Sequence, residues 1–114
     1  MLTSRMRVHP AEGTWVVRAG GAVIGESARA LELLEGDYPA VIYFPREDVA
    51  MAFLEPSDTV TTCPFKGRAS HFHLIANSGA IRDAAWSYED PTEEAAAIAG
   101  CIAFYTDRAA VEQV

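Results

Sequence analysis

The chain has 114 residues, half of them hydrophobic and 22% charged, with sixteen Asp and Glu against nine Lys and Arg and a formal charge of −7. That length suits one domain over residues 1–114, able to bury roughly two thirds of its unfolded surface without a metal or disulfide staple. The acidic balance, unbroken by any basic stripe, argues against nucleic acid as a partner, and the lack of an 18-residue apolar run argues against a transmembrane helix.

The opening MLTSRMRVHPAEG carries two arginines but no apolar core, so it does not read as a signal peptide. It is polar and holds Pro10 and Gly13, so residues 1–13 are expected to be loosely held. TWVVRAGGAVIGES then gives two strands, Trp15–Arg18 and Ala22–Gly25, joined at Ala19-Gly20-Gly21, where glycine supplies the positive φ of a tight hairpin. In SARALELLEG, Ser27 can cap a helix, Gly36 can stop it, and Ala30, Leu31 and Leu34 share a helical face. A helix of about two turns is predicted there.

AVIYF, between Pro39 and Pro45, is a strand of β-branched and aromatic residues. PREDV makes one helical turn led by Pro45. AMAFLEP gives a short strand ending before Pro56, and TVTTC a strand running into Pro64. RASHFHLI alternates, with Ser70, Phe72 and Leu74 on one face and Ala69, His71, His73 and Ile75 on the other. Asn77-Ser78-Gly79 is a turn, and IRDAAWSY is a strand with Ala84, Trp86 and Tyr88 on one face. DPTEEAAAIAG is the strongest helical pattern, with Asp90 as cap, Pro91 at the first position, Glu93 completing a capping box and Gly100 ending it. CIAFY is the last strand. Seven or eight short strands against two short helices, arranged as hairpins, predict a mainly β, antiparallel fold.

The opening hairpin with VIGES, then YFPREDV, Cys63-Pro64-Phe65-Lys66-Gly67, AAWSYEDP and IAGCIAFY, in this order, span residues 14 to 105. By them the chain resembles the bacterial family known as domain of unknown function 427. The resemblance implies a β-tent-like fold in which two antiparallel sheets meet at an angle. Some relatives in that wider group carry zinc on paired C-x-x-C knuckles. This sequence has none, so no metal is carried over. The family has also borne a nucleotidyltransferase-like label. Such chemistry needs carboxylates to hold metal ions beside phosphates. No Gly-Ser followed by Asp-x-Asp, and no P-loop, is present to support it. His71 stands where an aromatic such as tyrosine is expected in relatives.

The densest chemistry lies in TTCPFKGRASHFHL. Cys63 becomes a nucleophile if a cation stabilises its thiolate, and Lys66, Arg46 or His71 could supply one. Equally, Cys63 is a small buried hydrophobe and Lys66 points to solvent. With no signal peptide and no C-x-x-C, Cys63 and Cys101 are expected as reduced thiols in a cytoplasmic protein. His71 and His73 share a strand face and could offer two imidazoles to a metal, with Cys63 or Asp83 as third ligand. A half-exposed strand face is the favoured account. Tyr43, Trp86 and Tyr88, with Phe104 and Tyr105, either pack a core or line a pocket with polar tips. The expectation is a small-molecule site of Tyr43, Cys63, Lys66, Trp86 and Tyr88, with Arg46 and His71 at its rim. An anionic group would meet Lys66 and Arg46, and no cofactor is called for. The alternatives are an enzyme using Cys63 or Lys66, and a structural or protein-interaction domain. An exposed sheet edge could pair two copies as a homodimer.

Overall fold

A computed structural model describes residues 5–114. Its ten strands are β1 (Met6–Pro10), β2 (Trp15–Ala19), β3 (Ala22–Ser27), β4 (Leu31–Glu35), β5 (Val41–Tyr43), β6 (Leu54–Cys63), β7 (Gly67–Ala76), β8 (Gly79–Ser87), β9 (Ala103–Phe104) and β10 (Ala110–Gln113). All pairings are antiparallel, so the mainly β antiparallel expectation holds. Hydrogen bonding orders them as β1-β4-β5, β10-β2-β3 and β6-β7-β8-β9. A single bridge, in which Phe44 and Ile102 exchange both backbone hydrogen bonds (2.8 and 2.9 Å), continues the first group into the third. Seven strands thus form one bent layer, and β10-β2-β3 forms a second.

Two apolar clusters lie on opposite faces of the long layer. Val17 and Ile24 of the small sheet meet Phe44, Phe72, Leu74, Ala85 and Phe104 on one face. On the other, Leu33, Tyr43, Ala69, Tyr88 and Ala103 are covered by Ala95 and Ile98 from the segment after β8. β7 feeds both clusters. Its alternation is as expected, but Ala69 and His71 are buried on one face while Phe72 and Leu74 are buried on the other.

The Gly20-Gly21 turn is as predicted, both residues having positive φ (56° and 78°), and a Cβ on Gly20 would stand 2.5 Å from the Ala76 Cβ. Three expectations fail. SARALELLEG is not a helix: Leu31–Glu35 is strand β4, held between β1 and β5. A helix of about two turns cannot outweigh two ladders of backbone hydrogen bonds. The helix expected in DPTEEAAAIAG is a 3-10 segment, Glu93–Ile98, broken at Ala95, and its N-cap position is Thr92 with no side-chain cap. The AMAFLEP strand is a 3-10 turn at Met51–Phe53, with β6 starting only at Leu54. The PREDV turn is present as 3-10 at Arg46–Asp48, with Pro45 one position before its start. Within the first thirteen residues, Met6–Pro10 is not loose but paired with β4 along its length. The part of that expectation covering residues 1–4 lies outside the described residues.

Candidate functional site

The Cys63-Pro64-Phe65-Lys66-Gly67 stretch is the turn of the β6–β7 hairpin, with Cys63 paired to Gly67 across it. Lys66 N–H donates to the Cys63 carbonyl at 3.2 Å, and Gly67 takes φ 106°, a conformation that favours glycine. The turn is pinned from outside. Thr92 N–H donates to the Lys66 carbonyl (3.0 Å) and Thr92 Oγ1 to the Phe65 carbonyl (2.6 Å). A hairpin tip held this way aims Lys66 inward rather than to solvent, and its residue is only 9% exposed. A buried ammonium needs a partner. Glu35, at the end of β4, provides it, with Nζ 2.6 Å from Oε1. Burial alone would depress the lysine, but the hydrogen bond to Glu35 and the nearby Cys63 thiol outweigh it. The Lys66 pKa is raised.

Beside this ion pair the sheet presents aromatic side chains. Trp86 Nε1 donates to the Tyr43 hydroxyl at 3.2 Å, with the two rings edge to face at 6.2 Å. Tyr105 lies against Trp86 at 4.5 Å. Tyr43, Lys66, Trp86, Tyr88, Tyr105 and Glu35 all line one cavity of about 230 Å3. It adjoins an outer cavity of about 550 Å3, the two sharing Glu35, Tyr38, Pro39, Val41, Trp86 and Tyr105. The outer one is walled further by Trp15, Ile42, Phe104 and Val111. The inner chamber is therefore polar-tipped and the outer one mostly apolar, and the loop carrying Tyr38 and Pro39 borders both.

Burial, the largest cause in each case, raises the pKa of the Tyr43, Tyr88 and Tyr105 hydroxyls. With the raised Lys66, all four groups hold their protons more tightly folded than unfolded. Their contribution to stability is complete below the ordinary pKa of about 10 and falls as pH rises past it. On alkaline titration, Tyr43 is expected to ionise only as the fold is lost, and Tyr88 and Tyr105 above the ordinary tyrosine range. Tyrosinate absorbance at 295 nm and near-UV circular dichroism check this. Ionisation of Tyr43 with the dichroism intact would show an open, hydrated hydroxyl.

The sequence-derived site residues divide. Tyr43, Lys66, Trp86 and Tyr88 converge on the inner cavity. Cys63 is half-buried, packed beside that cluster and close enough to act on Lys66. Arg46 is not at the rim. Its guanidinium donates to the Gly100 carbonyl (3.1 Å) and Glu89 (2.8 Å) and lies over the Phe72 ring. His71 is not on a half-exposed face. It is 3% exposed, behind Tyr105, whose hydroxyl lies 3.1 Å from Nε2, and its Nδ1 has no hydrogen-bond partner among the described residues. His73 accepts from the Asp83 N–H at 3.0 Å through Nδ1. Among the described residues no three His, Cys, Asp or Glu side chains gather as a metal site.

Glu35 and Tyr38 were not anticipated as parts of the site, and Tyr105 only as one of the aromatics that either pack a core or line a pocket. In LELLEG, Leu31, Leu33 and Glu35 fall on one face when read with a period of two, which would have placed Glu35 beside the inward face.

No helix among the described residues is long and apolar enough to cross a membrane. Comparison with curated proteins finds no match. A family model described as a domain of unknown function (DUF427) matches residues 7–114. The match runs from β1 through β10 and includes every residue of both cavities, and the chain belongs to the domain of unknown function 427 family.

Proposed function

We propose that this domain binds a small molecule in the two-chamber cleft, the polar end of the ligand in the inner cavity and its apolar body in the outer one. The observation that carries this reading is the convergence of Tyr43 from β5, Lys66 from the β6–β7 turn and Trp86 and Tyr88 from the end of β8 on one cavity next to a larger aromatic one. Ligand sites are typically concave and apolar with a few converging polar groups. An anionic ligand is the less favoured choice. Lys66 already has a carboxylate partner, and Arg46 is committed elsewhere.

Turnover by Lys66 is also disfavoured, because a lysine nucleophile must be neutral and this one is held as the ammonium. Cys63 keeps the enzyme alternative in view, since it is half-buried beside the cavity and not sealed in the core. The binding reading leads because the cavities need no reaction to explain them. The protein is expected to act inside the cell, with the cleft as the surface presented to its ligand.

A thermal-shift screen of small aromatic fragments, covering neutral, anionic and cationic compounds, tests the reading. Some fragments are expected to raise the Tm of the wild type, with the rise lost in Trp86→Leu, which removes the wall shared by both cavities. A screen in which no fragment of any charge stabilises the protein, or in which Trp86→Leu is stabilised equally, contradicts it.

A further inference from the structure

The outer cavity has a composition that narrows the ligand further. Five aromatic side chains, Trp15, Tyr38, Trp86, Phe104 and Tyr105, line it, and among the described residues its charged lining residues are Glu32 and Glu35. Among the described residues no lysine or arginine lines it; Lys66 lines only the inner chamber. Each carboxylate spends one oxygen on a neighbour. Glu32 Oε1 lies 2.6 Å from His9 Nε2, and Glu35 Oε1 lies 2.6 Å from Lys66 Nζ. The second oxygens have no hydrogen-bond partner among the described residues. Aromatic faces attract cations through the ring quadrupole, most strongly where water is excluded. The Tyr105 ring has the Arg108 guanidinium over it at 5.1 Å, so the other rings are the ones left to meet a ligand cation. A chain of net charge −7 adds a field of the same sense.

We propose that the outer cavity is a site for a small organic cation, a methylated or quaternary ammonium, held by the aromatic walls and drawn by Glu32 and Glu35. Such a cation has no N–H to satisfy, or few, so a wall that offers π-faces and diffuse negative charge suits it better than direct hydrogen-bond acceptors would. Tyr38, 76% exposed at the mouth, is the ring best placed to be covered when the cation enters. The proposal rests on the cleft being a ligand site and adds its charge preference.

The probes are choline and 3,3-dimethyl-1-butanol, which match in shape and differ in charge, with 3,3-dimethylbutyrate as the anionic control. Binding is read from the indole N–H resonances of Trp15 and Trp86 during titration. Choline is expected to bind at least tenfold more tightly than the neutral alcohol. Glu32→Gln, a conservative change at a half-exposed strand position, is expected to weaken choline several-fold and leave the alcohol unchanged. Tyr38→Ala, which alters an exposed loop residue and cannot empty the core, is expected to weaken choline as well. Equal or tighter binding of the alcohol or the butyrate overturns the charge preference while leaving the cleft as a ligand site. Failure of choline to move either indole overturns the proposal too. The cleft itself falls only if the wider fragment screen also finds nothing.

Discussion

Lys66→Met is expected to destabilise the protein by about 2 kcal/mol, a fall in Tm of about 10 °C, and the double variant Lys66→Met/Glu35→Leu to recover most of it. The reasoning begins with the hairpin. Two hydrogen bonds from Thr92 fix the backbone of the Lys66 turn against the segment after β8, which holds the base of the side chain at the cavity wall. Met fills the space of the stem but leaves Glu35 at the cavity wall without its cation. Breaking a fully buried pair costs about 3–5 kcal/mol, and the partial exposure of Glu35 through the cleft reduces that figure. Removing both charges leaves an apolar wall, which is why the double variant recovers. Urea unfolding of the three proteins checks it. A single variant as stable as wild type would mean that Glu35 reaches water freely and that the pair contributes nothing.

Phe44→Ala is expected to cost about 4 kcal/mol, the largest single effect in the chain, with Phe44→Leu costing about 1.5 kcal/mol. Phe44 is fully buried and meets Phe104 edge to face at 5.9 Å. It also stands at the one bridge that continues β1-β4-β5 into the four-stranded group. The ring therefore fills the junction between the two parts of the long layer. The backbone bridge survives the substitution, but the cavity left beneath it has rigid sheet on both sides and little means of closing. Because Tyr43 is the adjacent residue and lines the inner chamber, loosening this junction is expected to reach the cleft as well. Equilibrium unfolding in urea measures the cost. A loss below about 1 kcal/mol would show that the junction repacks, and that the two parts of the layer are held by other contacts.

How far the sequence revealed all this varies with the physics of each segment. Strands with β-branched and aromatic runs, such as AVIYF and TWVV, declare themselves because their side chains suit a pleated, buried surface. The Gly20-Gly21 hairpin was legible for the same local reason. SARALELLEG was not, because its apolar residues fit both periods. What decides for a strand is the pairing of β4 with β1 on one side and β5 on the other, a tertiary fact. DPTEEAAAIAG has helical propensity, yet the segment is tied at Thr92 to the hairpin turn and at Gly100 to the Tyr88 carbonyl, leaving too few residues for a regular helix.

The site followed the same division. Tyr43, Lys66, Trp86 and Tyr88 were legible because polar-tipped residues in predicted strands need partners when buried. Glu35 was hidden by the misread helix, and Arg46 was misplaced because nothing local reveals that Gly100 and Glu89 will stand within its reach. His71 looked half-exposed from its strand alone. It is buried because Tyr105, 34 residues on, lies over it.

The proposed ligand site is the two-chamber cleft. The most direct measurement is a titration of the labelled protein with the most stabilising fragment, following the Trp86 indole N–H, which donates to Tyr43 at the boundary of the two chambers. A ligand seated in the cleft is expected to give a saturable shift of that resonance, with contacts from the ligand to the rings of Trp86 and Tyr105. Saturable binding that moves resonances elsewhere and leaves the Trp86 indole unchanged would contradict it.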